Sequence, residues 1–185
     1  MIKNRYKHLF ALFLVVALAS CKNEPSSVPT KISSSLNPDE KLENVFEIHL
    51  NAKVSLDDEF RVYYTTQKDP NFSENQVVRT KVFGFEEEQT IVYKLPKGDY
   101  PTNLRLDFGF NTDQKSIQIN FMKFRYSQKQ IVVNGAALAD YFDLMQGHVV
   151  FNKAHNQLDF IQSENYFPII YANADLKERI YSLPH

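Results

Sequence analysis

Leu104, Leu106, Phe108 and Phe110 alternate with Arg105, Asp107 and Gly109. A β-strand turns successive side chains to opposite faces, so a period of two requires a sheet with one buried side and one wet side. The same period sets Phe46, Ile48 and Leu50 against Glu47, His49 and Asn51, and Phe60, Val62 and Tyr64 against Arg61, Tyr63 and Thr65. Further strand-like runs cover residues 76–85, 90–95, 116–126, 130–133, 148–151, 157–162 and 167–171. Turn chemistry parts them at Asp69-Pro70-Asn71, Pro96-Lys97-Gly98-Asp99, Asn111-Thr112-Asp113 and Asn134-Gly135. Short strands at this spacing, with 15 Phe and 10 Tyr to fill two facing layers, predict an all-β chain folded as an antiparallel β-sandwich. Helical patterns are confined to residues 136–145, where Leu138, Tyr141, Phe142 and Met145 share a face, and to residues 175–180 behind an Asn173 cap. Alternating strands and long helices are therefore excluded.

The first twenty residues follow a different logic. Lys3, Arg5 and Lys7 precede an apolar run of 11 residues, 9–19, which ends at Ser20 and Cys21. As a helix that run reaches roughly 17 Å against a hydrocarbon core of about 30 Å, too short for a permanent span. Basic residues, an apolar segment and then small residues make a secretory signal. The box Leu18-Ala19-Ser20-Cys21 resembles that of bacterial lipoproteins. The resemblance implies cleavage before Cys21, acylation of its sulfur, and attachment through that lipid to a membrane of the cell envelope, the outer membrane. Lys22-Asn23-Glu24 resembles, in part, the export signal of Bacteroidetes surface lipoproteins, so both the periplasmic face and the cell surface stay open. Cys21 is the only cysteine, which leaves no internal disulfide and, once acylated, no free thiol.

The chain therefore divides into a signal (1–20), a lipidated cysteine with a tether (21–44) and a single β-sandwich domain (45–185). The tether carries Pro25, Pro29 and Pro38 among serines and almost no aliphatic residues, a composition that stays extended and unpacked. Without the signal, 18 Lys and Arg stand against 22 Asp and Glu, a formal charge of −4. Nucleic acid and anionic lipid both need a basic face, so this balance excludes them as main partners.

Residues 59–66, with the run Glu59-Phe60-Arg61-Val62-Tyr63-Tyr64-Thr65-Thr66, then Phe72-Ser73-Glu74, Leu95-Pro96 and Leu104-Arg105-Leu106-Asp107-Phe108-Gly109, carry a second resemblance. Together they resemble the jelly-roll-like β-sandwich modules appended to bacterial cell-envelope glycosyltransferases, over residues 45–133. The resemblance implies an extracytoplasmic, carbohydrate-associated module without chemistry of its own. The large membrane-embedded catalytic region of those enzymes has no counterpart in this sequence, which removes the ground for glycosyl transfer.

Catalytic patterns are sparse. The serines lack a Gly-x-Ser-x-Gly elbow, and His148 and His155 lack metal-ligand spacing. Five glycines leave little material for a phosphate loop, and nothing in the sequence implies a cofactor. Asp57, Asp58 and Glu59 precede a strand, Glu86, Glu87 and Glu88 read as a turn, and Asp113 lies in a loop; such acids suit solvated strand ends better than a paired-carboxylate cleft or a calcium loop. The stronger candidate is the polar face of the strands. Arg61, Tyr63, Arg105 and Asp107 project opposite their apolar neighbours, so if these strands pair they assemble rings, forked donors and an acceptor suited to a sugar. Arg105 and Asp107, two apart on one face, also suit a simple ion pair. With no tryptophan in the chain, Tyr100 and Tyr126 would have to serve as the larger platform. The expectation is a non-enzymatic module contacting polysaccharide, with a structural or assembly lipoprotein of an envelope protein complex, or a small hydrolase, as alternatives.

Overall fold

A computed structural model describes residues 44–184; the predicted signal, Cys21 and the tether up to residue 43 lie outside the described residues. In order come β1 (Phe46–Val54), β2 (Asp58–Thr65), β3 (Val77–Val82), β4 (Phe85–Lys94), β5 (Asn103–Asp107), β6 (Ser116–Tyr126) and β7 (Lys129–Asn134). A 3-10 turn (Gly135–Ala137) leads to α1 (Leu138–Tyr141), β8 (Phe142–Leu144), β9 (Val149–Asn152), β10 (Gln157–Phe160), β11 (Ile169–Ala172) and α2 (Ala174–Ser182). They form two antiparallel sheets packed as a sandwich, as the alternation predicts. The first sheet runs β4-β1-β6-β10-β9 with β7 also on β6, and the second runs β3-β2-β5-β11-β8.

The core lies between the sheets. From β1, Phe46, Ile48, Leu50, Ala52 and Val54 expose no surface, and they face Phe60, Val62, Tyr64, Leu104 and Leu106 of the second sheet. Each large aliphatic or aromatic side chain so placed contributes about 1.5–3 kcal/mol relative to an exposed one. In β6 the phase changes: Ile117 and Ile119 are buried, then Met122 and Phe124. An irregularity opposite Asn51 and Ala52 absorbs the extra residue, and Asn120 there donates to Asn51 Oδ1 at 2.8 Å.

Three expectations are corrected. Residues 76–85 are not one strand: β3 ends at Val82 and a tight turn at Phe83-Gly84 hands the chain to β4 in the other sheet. Gly84 permits this, because a Cβ there would sit 2.5 Å from the Ser55 carbonyl oxygen. Glu86, Glu87 and Glu88 are then part of β4, where pairing steps from Ala52↔Gln89 to Val54↔Phe85 and pushes the three acids outward as a bulge. Residues 136–145 are helical for one turn only. Phe142 leaves the helix to pair with Ala172 and to lie against Phe124, ring centroids 6.5 Å apart, so tertiary pairing overrides the local helical period. The second helix keeps its predicted cap, with Leu176 N–H donating to Asn173 Oδ1 at 3.1 Å.

The loops divide between two ends. Described residues begin at the end we call the foot, with the 66–76 and 95–102 loops, the β6–β7 turn and α2. The opposite end, the crown, gathers the loops 55–57, 83–84, 108–115, 145–148 and 161–168.

Candidate functional site

The four residues singled out on the strands do meet. Antiparallel pairing of β2 with β5 sets Arg61 opposite Asp107 and Tyr63 opposite Arg105. On the far side of β5, β11 places Ile169 opposite Asp107 and Tyr171 opposite Arg105. One row across the outer face thus reads Val77, Tyr63, Arg105, Tyr171, Asp143, and the next reads Arg79, Arg61, Asp107, Ile169.

Within these rows the polar groups first satisfy one another. Arg105 donates from Nε to Asp107 Oδ1 at 2.7 Å and from Nη2 to Oδ2 at 2.6 Å, a forked pair that fixes the guanidinium plane. That plane lies 4.2 Å from the centroid of the Tyr63 ring. Tyr63 donates its phenol to Glu74 Oε1 at 2.7 Å, and Glu74 also pairs with Arg79. Burial, with that carboxylate as acceptor, pushes the Tyr63 phenol above its ordinary value, so it stays protonated. The hydrogen bonds to Asp107 hold the Arg105 guanidinium above its usual value despite partial burial. Tyr63 and Asp107 are only 5 % and 7 % exposed, so they form the floor of the site. The reachable surface is supplied by Arg61, Tyr171 and Phe110. Arg61 lies 4.5 Å from the centroid of Phe110 and is held by Glu59 at 2.9 Å, and Tyr171 has Phe72 beside it at 6.2 Å. The arrangement can offer ring faces, and guanidinium groups locked in plane, to a flat polar ligand.

Other candidates go elsewhere. Tyr100 and Tyr126 do not form a platform: they stack edge to face at 5.0 Å, with Tyr100 also against Phe46 at 5.4 Å, closing the foot of the core. Asp58 is consumed by backbone, its carboxylate accepting from the N–H groups of Glu59, Phe110 and Asn111 at 2.7, 3.0 and 2.9 Å. Asp57 accepts from Gly84 N–H at 2.7 Å. A groove of about 450 Å³ opens at the foot, lined by Thr66, Lys68, Asp99, Tyr100, Thr102 and Tyr181, away from the four strand residues. Among the described residues no group of three or more acids, histidines or cysteines is placed to hold a metal ion.

Two features escaped the sequence. Glu47, read simply as an outward residue, is 4 % exposed and lies under Arg125 at 2.7 Å, His49 at 2.8 Å and Lys94 at 3.1 Å. Burial alone would raise its carboxyl, but the hydrogen bonds from Arg125, His49 and Lys94 outweigh it and bring the pKa down to about 2. The second is the crown. Phe110 was expected to continue the inward series, but Gly109 adopts φ +89° and turns the chain over Asp58, which leaves Phe110 48 % exposed. Phe83 and Phe85, on either side of Gly84, are 68 % and 55 % exposed. A pair of phenylalanines around a glycine was the available signal.

The crown loops are tied to each other. Gln114 accepts on Oε1 from Leu56 N–H and on its carbonyl from the Tyr166 phenol, both at 2.9 Å. Phe108 N–H donates to the Pro168 carbonyl at 2.9 Å, and Ile161 N–H donates to that of His148 at 2.8 Å. Burial pushes the Tyr166 phenol up to about 12, so it remains a donor. Compared with family models, with curated proteins and with solved structures, this chain matches none.

Proposed function

We propose that this protein is a non-catalytic binding module, held at the outer membrane of the cell envelope by lipid on Cys21, that contacts polysaccharide through the outer face of β2, β5 and β11. The observation that carries this reading is the row in which Arg105, clamped by Asp107, lies on the Tyr63 ring with Tyr171 opposite it on the next strand. Locked guanidinium planes beside ring faces suit sugar hydroxyls and C–H surfaces, and their prior fixation lowers the ordering cost of binding. The acylation box and the likeness to jelly-roll-like envelope modules support the location. Exchange of Arg61 and Tyr171 for Ala together should abolish retention on a glycan array with the melting temperature unchanged, whereas undiminished retention would remove the polysaccharide reading. Intact-mass spectrometry of the mature protein should find acyl mass on Cys21, and an unmodified amino terminus would remove the anchor.

A second reading, a structural subunit of an envelope protein complex, is favoured by the phenylalanines displayed at the crown.

A further inference from the structure

Phe83, Phe85 and Phe110 stand on backbone segments bonded to one dipeptide. Gly84 N–H and the Asn111 side-chain amide both donate to Asp57, and Phe110 N–H donates to Asp58. These rings are 68 %, 55 % and 48 % exposed, and loops already hydrogen-bonded to each other lose little freedom when something docks. Gly109 sharpens the point. A Cβ there would lie 2.0 Å from Asp58 Oδ2, so the turn that displays Phe110 is built around that carboxylate.

The surroundings choose the occupant. Asp57, Glu86, Glu87, Glu88, Asp113 and Glu164 lie on the crown loops or at the start of β4, against Lys53, Lys81, Lys115 and Arg61, the last on the Phe110 ring. Lys53 is already engaged by Glu86 at 3.4 Å, Arg61 by Glu59 at 2.9 Å, and Lys115 donates to the Thr112 carbonyl at 2.9 Å. An acidic rim repels anionic headgroups, and it repels a second crown brought tip to tip.

We propose that the crown is a docking surface for a protein partner whose contact face is apolar at its centre and carries Lys or Arg at its rim. This deepens the second reading above and rests on it. Phe110 borders the Arg61 and Tyr171 face as well, so the variants are made at Phe83 and Phe85, and glycan retention and crown docking can fail separately.

The mature chain is titrated against a fluorescent amphipathic helix of Leu and Lys, and against its counterpart of Leu and Glu. The Lys peptide should bind, more weakly as salt rises, and the Glu peptide should not. Phe83→Ser with Phe85→Ser should weaken binding about tenfold, about 1.4 kcal/mol in affinity. Glu86→Lys with Glu88→Lys, which leaves the rings in place, should shift preference towards the Glu peptide, and Tyr181→Ser at the foot should change nothing. Equal binding of both peptides, or undiminished binding by both crown variants, overturns the proposal. So does self-association lost in the Phe83→Ser, Phe85→Ser variant, or, for the chain from Lys22 on, which lacks the acylated Cys21, co-sedimentation with phosphatidylcholine vesicles lost in the same variant.

Discussion

Both ends of the sandwich bury a stack of rings, but only the crown also displays them. At the foot, Phe46, Tyr100 and Tyr126 stack edge to face, the Tyr64 phenol donates to Asp99 at 2.6 Å, and Tyr100 donates to the Ile180 carbonyl in α2. The rings themselves hold that end shut. At the crown Phe108 packs on Phe60 and Phe160, with Tyr166 beside Phe160, but the loops above them are held by carboxylate and amide groups on backbone N–H, through Asp57, Asp58 and Gln114, and Phe83, Phe85 and Phe110 are left outside. Loops pinned by polar bonds can display further apolar side chains without relying on them for stability.

The largest test removes a ring from the foot. Phe46→Ala, at a fully buried position, should cost about 3–5 kcal/mol in urea unfolding. A loss under about 1 kcal/mol would mean that the aromatic stack does not close that end. At the crown, Gly109→Ala must place a methyl group against Asp58 in left-handed backbone, and should cost about 2–3 kcal/mol by the same assay. If Gly109→Ala unfolds at wild-type urea, the polar closure described here is wrong.

Glu47 gives a smaller effect with a definite pH signature. Its folded pKa lies near 2, below the ordinary 4.5, so its contribution is complete above about 4.5 and is lost as pH falls through about 2. Glu47→Gln should cost about 1–3 kcal/mol at neutral pH. Stability curves for the two proteins should converge in acid, and parallel curves would show that the carboxylate is not the group responsible. The smallest expected effect is at Phe83. Phe83→Ser should move the unfolding free energy by less than about 0.5 kcal/mol while weakening binding of the Leu-Lys helix. A large stability loss would place the ring in the fold rather than on display.

Much of the fold was legible because alternation reports burial directly. The period in β1, β2 and β5 located the core, and the Asn173 cap located α2. What stayed hidden depended on partners distant in the chain. Phe142 to Leu144 looked helical until β11 offered an edge to pair with, and Glu86 to Glu88 looked like a turn because only the offset against β1 makes them a bulge. For the candidate site, residue types and faces were readable, but adjacency was conditional on which strands pair. That Arg105 would meet both Asp107 and Tyr63 required both intrastrand spacing, which the sequence contains, and cross-strand register, which it does not. The weight of Glu47 was invisible for the same reason, since two of its three partners arrive from β4 and β6.

The bulge at the start of β4 has one more consequence. β4 is the outermost strand of its sheet, and its first residues display Glu86, Glu87 and Glu88 where a flat margin would otherwise invite another copy to add on. A neighbour approaching that margin meets three negative charges and a distorted ladder before it meets any straight backbone. At that margin, strand-by-strand addition of a crowded neighbour is disfavoured.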